Sequence, residues 1–348
     1  MNQNYEEFFT NSLDDIIWKE ELSEFIPNKI FDIHTHIYRW VFNLDPKKEL
    51  GPFSQTIGKY FPEVTWELAN KIDSLMMPGK IVDRLSFPFP FPYPCDFQSS
   101  NNYLSKEISK GYNSHGLMLV HPKMNSENIE INLFKNSFKG FKPYRYYSST
   151  GDSVNARILD FMPENQIKIA DKYGLIIMMH LSKKDAVADS ENIFDLINLS
   201  SKYPNVKWIL AHCARSYSAW AIEKAAKQLR GLKNIWYDCS TVCESDALDA
   251  LYTGIGMDRL MYGSDDMIGP LRGKYITFGN AWAFLSPYNN SLNLSHCDDR
   301  MTFIRYEQLR AMKRGARQIG LDQKQREALF HDTAYKLINS IKKIDLIH

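Results

Sequence analysis

The chain has 348 residues, 44% hydrophobic and 24% charged, with 42 Lys and Arg against 41 Asp and Glu for a formal net charge of +1. That composition suits a globular protein with a large core and excludes a disordered chain, and with near-neutral charge and no basic run carrying interleaved aromatics it gives nothing to attract nucleic acid. No apolar stretch approaches a membrane span, and the start MNQNYEEFFTNSLDD lacks a basic and then apolar leader, so no membrane partner and a cytoplasmic address are expected.

Residues 1–28 read as an amphipathic, helical N-terminal extension closed by Pro27 and Asn28. The segment KIFDIHTH (29–36) begins the strands, and the connection after it, 37–80, is longer than a turn requires. IVDRLSF (81–87) follows, running into SFPFPFPYP (86–94), whose prolines remove backbone donors and take it out of the sheet as an extended aromatic rim. Then come HGLMLVHP (115–122), FKGFKPY (138–144), GLIIMMHL (174–181), VKWILAHC (206–213), NIWYDCST (234–241) and DRLMYGSDD (258–266). Between them ARILDFMPENQIKIADKYG (156–174), NIFDLINLSSKYP (192–204) and SAWAIEKAAKQLRG (218–231) are helical patterns ending in Gly or Pro.

Eight strands separated by helices predict an α/β fold with parallel pairing, a (β/α)8 TIM barrel, with an open doubly wound sheet as the rival. The barrel would fill residues 29–340 as one domain, with 341–348 as a C-terminal tail and long loops after strands 1 and 8, the second over 267–300. The five cysteines form no C-x-x-C pair, so neither a disulfide framework nor a cysteine zinc site is expected.

Function concentrates at the strand ends. His34 and His36 share one face of strand 1, Lys142 lies near the end of strand 4, and His180, His212 and Asp265 end strands 5, 6 and 8. In a parallel barrel these ends form a single rim. Each residue has an ordinary explanation singly, as a packed core histidine or a capping carboxylate, but their joint placement points to a metal site. Imidazole and carboxylate suit a divalent ion such as Zn²⁺.

HTH at the first strand, MMH at the fifth, AHC at the sixth and YGSD at the eighth resemble the amidohydrolase superfamily. The similarity is to the amidohydrolase-related branch that includes aminocarboxymuconate semialdehyde decarboxylase. LFHDTAYKLI (329–338) resembles that branch's final helix, where members carry an asparagine near the position of Asp332 or Thr333. The resemblance implies one divalent metal ion, zinc or else manganese, held by His34, His36, His180 and Asp265. His212 would lie beside it, and Asp265 and His212 would be the catalytic pair. A second metal bridged by a carboxylated Lys142 is the less favoured arrangement. Lys142 is instead expected to meet an anionic substrate, with Arg215, Trp40 and Tyr144 as further substrate contacts, Phe89 as a pocket wall, and Asp32 orienting a ligand from behind.

The expected activity is hydrolysis of a small amide, ester or lactone by metal-activated water, with non-oxidative decarboxylation of a small organic acid as the alternative. The His-x-His pair tilts toward hydrolysis, because some decarboxylases of the branch carry glutamate at the first position. A non-catalytic barrel is the third class. The partner is a small molecule, and exposed helices leave room for a homo-oligomer.

Overall fold

The computed structural model describes residue 9 and residues 11–45, 54–287 and 291–342. Parts of the predicted extension, of both long connections and of the tail (1–8, 10, 46–53, 288–290 and 343–348) lie outside the described residues.

The strands and principal helices alternate as β1 (Lys29–His36), α1 (Trp66–Met76), β2 (Ile81–Phe87), α2 (Phe97–Ile108), β3 (Ser114–Gly116 continued by Met118–Leu119) and α3 (Ser126–Lys135). They continue as β4 (Gly140–Lys142), α4 (Glu164–Tyr173), β5 (Ile176–Met179), α5 (Ser190–Lys202), β6 (Lys207–Leu210), α6 (Ala219–Leu229), β7 (Ile235–Asp238), α7 (Ser245–Gly254), β8 (Leu260–Met261) and α8 (Ile304–Gln318).

Neighbouring strands pair in parallel from β1 to β8, and β3 serves both neighbours, its first half on β2 and its second on β4. Backbone hydrogen bonds close the seam between β8 and β1: Ile33 N to Tyr262 O (3.1 Å), Asp265 N to His34 O (2.8 Å) and His36 N to Asp266 O (2.6 Å). The fold is therefore a (β/α)8 barrel, and the rim carrying the C-terminal strand ends is the face on which such barrels build sites.

Local chemistry explains the elements. β5, IIMM, is buried on both faces, as a parallel strand sheathed by helices must be. α6 buries Ala221, Ile222, Ala225, Ala226 and Leu229, one stripe at helical spacing, and each large apolar side chain in it contributes about 1.5–3 kcal/mol. The single helix expected over 156–174 is instead split into Ile158–Phe161 and α4, because Pro163 holds Met162 out of helical geometry (φ −134°, ψ 81°). Gly140 opens β4 where a Cβ would lie 1.9 Å from the carbonyl oxygen of Ile176, so only glycine lets β4 seat against β5 and bring Lys142 inward.

The described part of the N-terminal extension is helical over Ser12–Ile16 and Ile17–Leu22, and it buries Trp18 in a stack on Tyr306 of α8 (6.3 Å between rings). After β2 the Phe-Pro segment leaves the sheet, with Phe91 buried between Tyr38 and Trp40. The connection after β8 holds a hairpin, β9 (Lys274–Phe278) with β10 (Ala281–Leu285). Among the described residues no helix is long and apolar enough to cross a membrane.

Candidate metal centre

A cavity of about 320 Å³ opens at the rim, lined by His34, His36, Lys142, His180, His212 and Asp265 together with aromatic and arginine side chains. Residues 231 positions apart in sequence thus share one site. Donor atoms of His34, His212 and Asp265 all lie within 4.8 Å of one another. His36 joins through Asp265, whose Oδ1 is 3.1 Å from His36 Nε2 and 3.3 Å from His34 Nε2. The His180 ring stands 5.2 Å from that of His212 and 4.8 Å from Tyr144.

The outer nitrogens of the four rings decide what the inner ones can do. Nδ1 of His34 meets Asp238 Oδ2 (3.0 Å), that of His36 meets Pro88 O (3.4 Å), that of His180 meets Leu181 O (3.2 Å) and that of His212 meets Ser240 O (3.1 Å). Carboxylate and carbonyl oxygens only accept, so each Nδ1 carries the proton and each Nε2 presents a lone pair. Asp265 then points an acceptor oxygen at two acceptor nitrogens, an arrangement that needs a positive charge among them. A proton on one imidazole or a divalent cation would satisfy it, and the donor set of neutral imidazoles and one carboxylate fits the cation.

Electrostatics agree. Burial pushes His36 down to about 4 and also lowers His180 and His212, which keeps these rings neutral. Burial opposes charge on His34 too, but Asp238 and Asp265 outweigh it and its pKa is raised. Asp265 is buried, yet His34 and His36 hold its carboxyl well below the usual range. Burial pushes the Lys142 ammonium down to about 8; its Nζ is buried without a hydrogen-bond partner among the described residues and lies 4.4 Å from the Phe87 ring centre.

Backbone strain collects here. His212, Cys213, Ala214 and Arg215 all have left-handed φ values (59°, 51°, 60° and 58°), and Asp265 has φ 56°. Such a conformation costs roughly 1–2 kcal/mol per residue and persists where surrounding structure imposes it. Here Asp238 Oδ1 accepts the His212 backbone N–H (3.1 Å), and Asp265 N–H donates to His34 O (2.8 Å), so the turns are tied to β7 and β1.

A model of the family described as "Amidohydrolase" matches residues 137–339, more than half of the chain. The chain belongs to the amidohydrolase family. No curated protein matches this amidohydrolase. Among solved structures it is similar to the 5-carboxyvanillate decarboxylase of Novosphingobium aromaticivorans, in complex with manganese and 4-hydroxy-3-methoxy-5-nitrobenzoic acid. That pair is 14% identical with a TM-score of 0.55, covering 90% of this chain and 96% of that one. The dihydroxybenzoic acid decarboxylase of Polaromonas sp. JS666, with manganese and 2-nitroresorcinol bound, is 12% identical with a TM-score of 0.55, covering 92% and 100%. A candidate 2-pyrone-4,6-dicarboxylic acid hydrolase of Pseudomonas putida is 13% identical with a TM-score of 0.51, covering 90% and 98%. At these identities the similarity establishes the barrel fold.

Of the residues read from the amidohydrolase sequence, Tyr144, Arg215 and Phe89 also line the cavity. Trp40 does not: its indole packs on Phe91 (5.3 Å) and against Gly58, just after Tyr38 and Arg39 pair with Val64 and Glu63. Asp32 does not orient a histidine ring either. Its Oδ1 accepts the backbone N–H groups of His34 (3.1 Å) and Ser264 (2.9 Å), and the carboxylate behind the His34 ring is Asp238.

Asp238, Arg145 and Tyr217 were not singled out by sequence. Asp238 ends its strand as His180 follows its own, so the same cue was present. The hairpin also had a cue, Gly279-Asn280 between two apolar runs.

Proposed function

We propose that this amidohydrolase is a metal-dependent decarboxylase of a planar, unsaturated organic acid. The observation that carries the reading is a buried, unpartnered Lys142 Nζ beside the donor cluster in a cavity walled by Phe89, Tyr144, Tyr146, Tyr217, Tyr275 and Trp282. Flat aromatic walls accept a ring, and a buried ammonium with open hydrogen-bonding capacity accepts an anion. That two of the similar structures are aromatic-acid decarboxylases supports the choice of reaction.

His34, His36, His180 and Asp265 would hold the ion, zinc or manganese, with His212 beside it; bound there, the ion supplies a Lewis acid for substrate oxygens. Lys142 Nζ neutralises the carboxylate end of the substrate. Stacked Tyr217 and Tyr275 (4.7 Å between rings) and Trp282 hold the ring face and exclude water. Asp265, a carboxylate at rest, takes up a proton from water and passes it to the ring carbon, which keeps the electron pair of the breaking C–C bond as CO₂ leaves. His212, its Nδ1–H held by Ser240 O, turns the Nε2 lone pair to a substrate hydroxyl and accepts its hydrogen bond.

Hydrolysis of a small amide, ester or lactone is the second reading, favoured by the His34-x-His36 pair and by the similarity to a candidate lactone hydrolase. The two separate by mass balance. Metal-loaded enzyme is incubated in ¹⁸O-labelled water with hydroxylated benzoates and with lactones. Release of CO₂ with unlabelled product supports the lyase, whereas label in the product without CO₂ overturns it.

A further inference from the structure

Two arginines reach the cavity from different elements. Arg145 follows β4 three residues after Lys142, and Arg215 ends the left-handed turn three residues after His212. Each is anchored by backbone carbonyls: Arg145 Nη1 donates to Ser153 O (2.8 Å), and Arg215 Nη1 to Lys183 O (2.5 Å) and Leu181 O (3.5 Å). Arg145 Nε is buried with no hydrogen-bond partner among the described residues, and its guanidinium lies 5.0 Å from the Tyr146 ring centre.

Among the described residues neither arginine makes an ion pair with a carboxylate. Glu191 pairs with Lys183 and Arg157, Asp195 with Arg157, and Asp152 accepts the backbone N–H groups of Val154 and Asn155. Their anchors adjoin, because Lys183 N–H donates to Val154 O (2.6 Å) next to Ser153, and Arg145 accordingly adds to burial in lowering the Arg215 pKa. Two like charges held near each other in a half-buried aromatic cavity are costly unless an anion joins them. A guanidinium fork is the geometry that takes a carboxylate in two parallel hydrogen bonds.

We infer that Arg145 and Arg215 form a clamp for a second acidic group, so that the substrate is a dianion with one carboxylate at Lys142 and the donor cluster and another between the two guanidiniums. The inference rests on this cavity being the substrate site, but not on which bond is broken there. Specificity then divides along the cavity: the Lys142 end takes the group that reacts, and the arginine end selects molecules that carry a second charge.

The test reads binding. Metal-loaded enzyme is titrated calorimetrically with benzoate, isophthalate and terephthalate at fixed ionic strength. At least one dicarboxylate is expected to bind at least about tenfold tighter than benzoate, a ratio worth about 1.4 kcal/mol. In Arg145→Gln and in Arg215→Gln the ratio is expected to fall below about threefold, while benzoate affinity changes by less than that. A wild-type ratio below tenfold overturns the clamp even if a variant fails to fold, and so does a ratio that survives in either folded variant. Because no turnover is read, failure of the decarboxylase reading would show as absent CO₂ and leave this result standing.

Discussion

Asp238 lies directly behind His34, with Oδ2 3.0 Å from the ring's Nδ1, while its Oδ1 accepts the His212 backbone N–H at 3.1 Å. One carboxylate thus sets the tautomer of one rim histidine and the position of another. A carboxylate placed behind a ligating imidazole fixes its orientation and raises its basicity. Asp238→Ala is expected to weaken divalent-metal binding about 10–100-fold, measured by competition with a chromogenic chelator. Unchanged affinity would show that His34 is held by other contacts.

Asp265 is proposed both as a donor to the ion and as the proton carrier. Asp265→Asn keeps an oxygen ligand but cannot exchange a proton, so most of the metal should remain while turnover falls about 10²–10⁴-fold. Elemental analysis beside initial rates checks both halves. Equal rates in variant and wild type would remove Asp265 from the proton path.

Beneath the site, Arg305 is fully buried between Asp266 and Asp73, with Asp73 also paired to Arg84. Removing Arg305 leaves the Asp266 carboxylate without its cation in a place water does not reach. Arg305→Met is expected to lower stability by about 3–5 kcal/mol, read as a lower urea midpoint at pH 7. A loss under about 1 kcal/mol would mean that the carboxylates take up protons at little cost.

His115 provides a pH signature away from the rim. Burial, with Lys139 adding to it, pushes its pKa from 6.5 down to about 4, and its ring stacks on Phe31 at 6.2 Å. Between those two values the unfolded chain binds a proton that the folded chain refuses, so stability must fall as pH drops through that window. His115→Phe should flatten the slope relative to wild type in urea melts from pH 7 to pH 4. An identical slope in the two proteins would contradict the shift.

Sequence reasoning reached the barrel because parallel strands announce themselves as buried apolar runs, as in IIMM, and because polar residues at their C-terminal ends must share one rim. It located His34, His36, His180, His212 and Asp265 for that reason. It missed Asp238, which ends WYD but whose partner His34 is 204 positions away, a pairing that only closure of the barrel creates. It placed Trp40 at the pocket because an aromatic near a strand end looks like a wall; whether it faces in depends on the turn after Ile37, which no periodicity encodes. Pro163 was visible in the helix predicted over 156–174, and its break follows from the restriction it places on Met162.

These rim side chains are expected to hold a metal ion, and elemental analysis of protein purified without chelator tests this most directly. About one zinc or manganese per chain in the wild type, lost in a His34→Ala/His36→Ala double variant that still folds, is the predicted result. No bound metal after zinc and manganese have each been added back, or a full complement in the double variant, would contradict it.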